Sequence, residues 1–144
     1  MTTAQQILSI LRQVGLLEHL TTQSVGWALG VALAEKADAN RYFRFYEAEG
    51  GAGAGPFASV ELRVPAAGAT TSEALLDLPL RPDAVVLLDE LGADLGPAVP
   101  FDVNPRVMPE GTVTYRYDLG KLVLLVQFTA RSQRLVAATV RGPS

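Results

Sequence analysis

Apolar positions near the start of the chain recur at helical spacing. Five large apolar side chains fall on one helical stripe: Ile7, Ile10, Leu11, Val14 and Leu17. Thr3, with Gln6 three residues later, has the pattern of a capping box, in which both side chains bond to backbone groups at a helix start. The pattern therefore predicts an amphipathic helix over residues 4–17.

The next apolar stretch, residues 25–34, alternates large and small side chains. The large ones are Val25, Trp27, Leu29, Val31 and Leu33. A period of two favours a strand, while the alanine content also suits a helix. We prefer the strand, and this leaves open whether Trp27 lies in the core or at the surface.

A segment dense in aromatic side chains follows a polar turn over residues 35–40. Phe43 and Phe45 form one alternating set within residues 41–47. The other set is Tyr42, Arg44 and Tyr46. Such aromatic density favours a strand. We expect the two phenylalanines to face the core and the other set to face outward.

A glycine-rich run, residues 50–56, comes next and predicts a hairpin loop, because glycine loses the most backbone entropy in regular structure. Residues 57–64 then alternate, with Leu62 inward and Arg63 outward, which predicts the strand partner of the aromatic segment. Residues 75–80 predict a further short strand that prolines bring to an end.

The second half of the chain repeats this order of elements. Residues 83–91 predict a short helix that opens beside Pro82 and stops at Gly92. A proline-rich connector follows. Three alternating segments then predict an antiparallel meander: residues 112–119, 122–129 and 135–140.

This order of elements places the chain in the α+β class, with a mostly antiparallel sheet and two helices packed on one face. A helix followed by strands occurs in residues 1–78 and again in 82–140, which suggests a repeat of α-βββ units. A length of 144 residues matches a single globular domain, 1–144.

Composition narrows the classes of function. A hydrophobic fraction of 49% with 19% charged residues predicts a folded protein. The net charge of −3 argues against nucleic acid and anionic membranes as partners. With no cysteine and one histidine, a disulfide, a zinc finger, an iron–sulfur site and a cysteine nucleophile are excluded. The start of the chain has no secretory signal pattern, so we expect a cytoplasmic protein.

The sequence offers no candidate catalytic set. His19 is the only histidine and follows the first predicted helix, where a cation suits the helix dipole. The neighbouring carboxylates of Glu47 and Glu49, and of Asp89 and Glu90, are explained by solvated faces. We therefore expect a non-enzymatic protein with no catalytic residues, no metal and no cofactor.

A binding surface is the better-supported hypothesis. Its residues are Tyr42, Arg44, Tyr46 and Arg63, with Trp27 nearby if the first strand pairs alongside. Tyrosine, tryptophan and arginine are the residue types enriched at protein–protein hot spots. The same residues also fit an interpretation without any partner, in which the tyrosines cover a neighbouring loop and Arg44 is solvated. A homodimer through an exposed strand edge is compatible with either.

An alternative function is a small-molecule-binding domain or small enzyme with an apolar pocket between sheet and helices. Trp27, Tyr115 and Tyr117 would line that pocket.

The layout of the chain resembles two groups of bacterial proteins. Leu87-Leu-Asp-Glu-Leu-Gly92, the connector and the Tyr115-x-Tyr117 hairpin resemble the helix–loop–meander unit of small immunity and inhibitor proteins. In size, acidity and α-βββ-α order the chain is also similar to type III secretion-type chaperones, although no C-terminal helix follows Val140. Both resemblances imply an immunity-type inhibitor or an adaptor, which occludes or escorts one larger protein.

Overall fold

The computed structural model describes residues 1–37 and 40–144. Its α-helices are α1 (Thr3–Gly15), α2 (Thr22–Leu29) and α3 (Leu88–Leu95). Its strands are β1 (Leu33–Glu35), β2 (Phe43–Ala48), β3 (Glu61–Pro65), β4 (Glu73–Pro79), β5 (Val99–Asn104), β6 (Thr112–Leu119), β7 (Leu122–Thr129) and β8 (Leu135–Pro143). None of the helices described is long and apolar enough to cross a membrane. Part of the turn predicted over residues 35–40 lies outside the described residues.

All eight described strands form one sheet in the order β1-β2-β3-β4-β8-β7-β6-β5, and every neighbouring pair is antiparallel. The α+β class with an antiparallel sheet is therefore confirmed. Each half of the chain supplies a four-stranded meander, and β4 joins the two halves by pairing with β8. Each half has four strands instead of the three of the predicted α-βββ unit, and in the second half the additional strand is β5, which lies in the proline-rich connector.

Helix α1 begins one residue earlier than the sequence pattern predicts. Its cap is Thr2, whose hydroxyl accepts a hydrogen bond from the Gln5 backbone at 3.1 Å, while the Gln5 side chain accepts from the Thr2 backbone at 2.8 Å. This is the reciprocal arrangement of a capping box. The helix also ends two residues earlier than predicted, at Gly15, so Leu17 lies beyond it. Within the helix the predicted stripe is kept, with Ile7 and Val14 fully buried.

The strand predicted over residues 25–34 is wrong for most of its length, because residues 25–29 lie in α2 and only Leu33 and Ala34 lie in a strand, β1. Thr21 caps α2 by accepting from the Ser24 backbone at 3.0 Å, and the Ser24 hydroxyl accepts from the Thr21 backbone in return. Gly30 then ends the helix in the left-handed conformation, with φ of 67°. Because both ends of the segment are capped, the helix is more stable here than the strand that the alternating pattern predicts. Trp27 is 73% exposed on this helix.

The helix predicted over residues 83–91 starts later, at Leu88, and continues past Gly92 to Leu95. The residues before it form a bridge instead, in which the Leu135 backbone donates to the Val86 carbonyl at 2.8 Å. Glu90 accepts from the Leu87 backbone at 3.0 Å and so caps the helix start. The solvated face predicted for Glu90 is therefore not its whole role, because its carboxylate also satisfies a backbone N–H that the helix leaves free.

One face of the sheet is buried, and we call it the buried face. Its central row crosses five neighbouring strands. The row consists of Leu62, Leu76, Val140, Leu124 and Tyr117. Each of these side chains is at most 2% exposed. The buried residues of α1 belong to the same apolar cluster, so the main core lies against this face.

Candidate binding surface

The predicted surface residues of the aromatic hairpin do not share one face. In the β2–β3 pair Arg44 lies opposite Val64, Tyr46 opposite Leu62, and Arg63 opposite Phe45. Residues directly opposite each other in antiparallel strands point to the same side. The grouping of Arg63 with Tyr42, Arg44 and Tyr46 is therefore wrong.

The predicted phase of β2 is wrong as well. Tyr46 shares the side of the buried Leu62 and packs against the core cluster, whereas Phe45 points to the opposite face. Strand β2 lies one strand from the edge of the sheet, where both faces are partly covered, and only Ala48 within it is buried. The core therefore does not favour phenylalanine over tyrosine there.

Arg44 is held by a side chain of the edge strand. Its Nε and Nη2 atoms donate to the two carboxylate oxygens of Glu35 at 2.9 and 2.5 Å, a bidentate pair. The hydrogen bond from Arg44 keeps the pKa of Glu35 below its ordinary value. The Arg44 guanidinium carbon also lies 6.0 Å from the centre of the Tyr46 ring. These contacts order Arg44 within the protein.

The sheet face opposite the buried face carries half-buried and exposed side chains, and we call it the open face. Two rows cross its five central strands in the order β3, β4, β8, β7 and β6. The first row is Glu61, Asp77, Thr139, Leu125 and Arg116, and the second is Arg63, Leu75, Arg141, Val123 and Asp118. All ten side chains retain accessible surface, in contrast to the buried row behind them.

Arg63 is positioned on the open face by two neighbours. Its guanidinium carbon lies 5.5 Å from the centre of the Phe45 ring, within the range of a cation–π contact. Its Nε atom is 3.7 Å from the Glu61 carboxylate. Both contacts hold the long side chain close to the sheet.

The middle of the open face combines apolar area with fixed polar groups. Thr139 donates to the Asp77 carboxylate at 3.1 Å, and the Arg141 Nε atom lies 3.1 Å from the Glu73 carboxylate. A shallow cavity of about 220 Å³ is lined by Arg63, Leu75, Asp77 and Thr139. Such a surface suits contact with another polypeptide through apolar area and directional donors.

The far end of the open face carries two charges without partners. Arg116 is half-buried and Asp118 is exposed, and among the described residues neither side chain makes a hydrogen bond or ion pair. Both line a cavity of about 330 Å³ with Pro97, Val99 and Tyr117.

Tyr117 has a buried hydroxyl with no hydrogen-bond partner in the described part of the chain. Burial raises the pKa of this phenol above its ordinary value. Tyr115 is half-buried and packs edge-on against Phe128, with the ring centres 6.1 Å apart. The predicted interior pocket lined jointly by Trp27 and the two tyrosines is wrong, because Trp27 lies exposed on α2.

Strand β5 forms one edge of the sheet, and all six of its residues are exposed. Val99, Phe101 and Val103 are 49–63% exposed there. Pro100 lacks a backbone donor and a bulge interrupts the pairing beside it, two devices that discourage another strand from adding to an edge. The prolines are also the reason that the sequence pattern predicts a connector here and not a strand.

No family model, curated protein or solved structure matches the chain. The resemblance in layout to immunity proteins and chaperones therefore stays a prediction. In residues 1–37 and 40–144, no three His, Asp or Glu side chains are grouped to hold a metal ion.

Proposed function

We propose that the protein is a non-enzymatic protein-binding module whose partner packs against the open face. In this proposal the helices cover only the buried face. The observation that carries it is apolar area on an accessible face at the centre of an eight-stranded sheet. Leu75, Val123 and Leu125 all lie there only half-buried.

The arrangement around these side chains has the anatomy of an interface. Arg63 and Arg141 flank Leu75 in the same row, and each is already held by a carboxylate of the protein. Ordered arginines lose little side-chain entropy when a partner arrives. An apolar centre with charged neighbours is the usual composition of a protein–protein contact.

The biological role in this proposal is that of an inhibitor of the immunity type, or of an adaptor. Either would use a rigid, preformed face to occlude or escort a larger protein. The face is supported by backbone ladders on both sides of β8, so binding needs no rearrangement of the sheet.

Capture from a lysate of the source organism tests this function. We expect the wild type to retain one dominant protein and Leu125→Lys to lose it, because a charge then occupies the apolar centre. Val85→Lys is the matched control, since Val85 is 54% exposed in the loop before α3. Equal capture by Leu125→Lys would overturn the open face as the binding surface.

A second pair of variants separates the open face from the surface predicted by the sequence. Tyr42→Ala with Arg44→Ala alters the edge of the hairpin and leaves the open face unchanged. Loss of the captured protein in this double variant, with retention in Leu125→Lys, would move the binding surface to the hairpin edge.

A second candidate function is small-molecule binding at the cavity lined by Tyr117. The Tyr117 hydroxyl is buried on the other side of the sheet without a partner, and a ligand that reached it would supply the hydrogen bond that buried polar groups normally make. A ligand screen by thermal shift tests this candidate, with Tyr117→Phe as the matched variant. A ligand that stabilises both proteins equally would argue against a role for the hydroxyl.

A further inference from the structure

The four charges that β3 and β6 carry on the open face are arranged symmetrically about β8. In the first row Glu61 lies two strands to one side of β8 and Arg116 two strands to the other. In the second row Arg63 lies two strands to the first side and Asp118 two strands to the other. Each side chain is therefore matched by one of opposite charge at the mirrored position.

Two apolar residues follow the same symmetry, whereas Leu125 on β7 is mirrored by Asp77 on β4. Leu75 on β4 and Val123 on β7 lie in the second row, one strand to either side of β8. A two-fold axis parallel to β8, between two facing sheets, exchanges β4 with β7 and β3 with β6. It would place Val123 over Leu75 of a second copy, Arg116 over its Glu61, and Asp118 over its Arg63.

We propose that the open face binds a second copy of this chain, forming a two-fold dimer in which the two sheets pack face to face. The proposal rests on the open face being a protein-binding surface, and it names the partner. Self-complementarity of this kind is what a two-fold interface requires, since the same patch serves both subunits.

The charges left over within one copy favour this partner. Arg116 and Asp118 have no ion pair in the described part of the chain. Glu61 has its ion pair with Arg63 at 3.7 Å, but it also lies directly opposite Asp77. Like charges directly opposite in a sheet are destabilising. Arg116 of a second copy would offset that repulsion and gain a partner itself.

The distances of sheet packing suit these contacts. Facing sheets lie about 10 Å apart, and two strand spacings place each charge about 10 Å from the axis. An arginine and a glutamate extended toward each other span such a gap. Because the axis runs along β8, Arg141 of one copy faces Arg141 of the other. The ion pair of each Arg141 with its own Glu73 at 3.1 Å limits the repulsion between the two arginines.

Sedimentation velocity over a range of concentrations at low salt tests the dimer. We expect Arg116→Glu and Glu61→Arg each to raise the dimer dissociation constant at least about ten-fold, because each places like charges across the interface. An equimolar mixture of these two variants is expected to dimerise again, since both cross-pairs then carry opposite charges. Arg106→Glu, a reversal in an exposed loop, is the control and should leave the dimer intact.

Recovery in the mixture cannot come from a variant that fails to fold. A wild type that stays monomeric at every concentration, or a mixture that stays monomeric, would overturn the second-copy proposal. If the capture experiment still shows a foreign protein lost in Leu125→Lys, the open face binds another partner and the proposed function stands. If the protein forms no dimer and captures no foreign protein, both the dimer proposal and the proposed function are wrong.

Discussion

Arg63 lies directly opposite Phe45 on the open face, and its guanidinium carbon is 5.5 Å from the centre of the phenylalanine ring. The contact joins β2 to β3 near the middle of their pairing. An exposed cation–π contact contributes about 0.5–1 kcal/mol. It also fixes the orientation of an arginine at the proposed interface.

A double-mutant cycle with Arg63→Ala and Phe45→Ala measures this contact. We expect a coupling energy of about 0.5 kcal/mol in the free energy of unfolding, at the low end for exposed pairs. Chemical denaturation of the four proteins gives the value. A cycle with Glu61→Ala in place of Phe45→Ala separates the ring contact from the ion pair at 3.7 Å. Additive effects of Arg63→Ala and Phe45→Ala would show that the ring contributes nothing.

The sequence predicts the fold well where one face of a strand is apolar and the other is polar. In β3 the side chains of Leu62 and Arg63 differ strongly in their preference for the core, and their predicted directions are confirmed. In β2 Phe43 and Phe45 alternate with Arg44 and Tyr46, and both phenylalanine and tyrosine tolerate a half-covered position. The phase of that strand is decided by its pairing with β3, which the pattern of β2 alone does not contain.

The candidate surface is harder to predict than the strands that carry it. Arg63, Leu75 and Asp118 stand in one row although they lie far apart in the chain. Their proximity follows from the joining of the two meanders through β4 and β8. The sequence pattern gives the outward positions of individual strands, but the order of strands and their register come from tertiary packing.

Removal of the unpartnered hydroxyl of Tyr117 should stabilise the protein. A buried polar group without a hydrogen bond carries an uncompensated desolvation cost. We expect Tyr117→Phe to raise the free energy of unfolding by up to about 1 kcal/mol, as measured by denaturant titration. Tyr115→Phe, at a half-buried position, is the control and should change it less. A loss of stability in Tyr117→Phe would mean that the hydroxyl has a partner in solution.

The hairpin turn between β6 and β7 should not tolerate a side chain at Gly120. This glycine has φ of 61°, and a Cβ atom there would lie 2.5 Å from the Gly15 carbonyl oxygen at the end of α1. Gly30 has a similar φ of 67° but open space around it. We expect Gly30→Ala to cost about 1–2 kcal/mol from backbone strain alone. Gly120→Ala should cost clearly more, because the clash adds to the strain.

Thermal and denaturant unfolding of these two variants measure the difference. Equal losses of stability would indicate that the turn moves away from α1 at little cost. In that case the close approach of the helix end to the β6–β7 hairpin would contribute nothing to stability.

Glu110 should make stability depend on pH. Its carboxylate accepts hydrogen bonds from the backbone of Ser132 at 2.6 Å and of Arg131 at 2.7 Å, and from the Ser132 hydroxyl at 2.9 Å. These bonds, those from the Ser132 and Arg131 backbone most of all, hold the pKa of Glu110 below its ordinary value of 4.5. A carboxyl whose pKa is lowered by folding stabilises the protein above its ordinary pKa. That contribution is lost as the pH falls through the lowered pKa of the folded state.

We therefore expect Glu110→Gln to be less stable than the wild type at pH 7, with the difference narrowing as the pH falls below 4.5. Urea unfolding of both proteins across this range measures it. Glu49→Gln is the matched control, because the Glu49 side chain makes no hydrogen bond within the described residues. A difference between wild type and Glu110→Gln that stays constant with pH would show that the turn between β7 and β8 is held by packing alone. The charge of Glu110 would then be incidental to the fold.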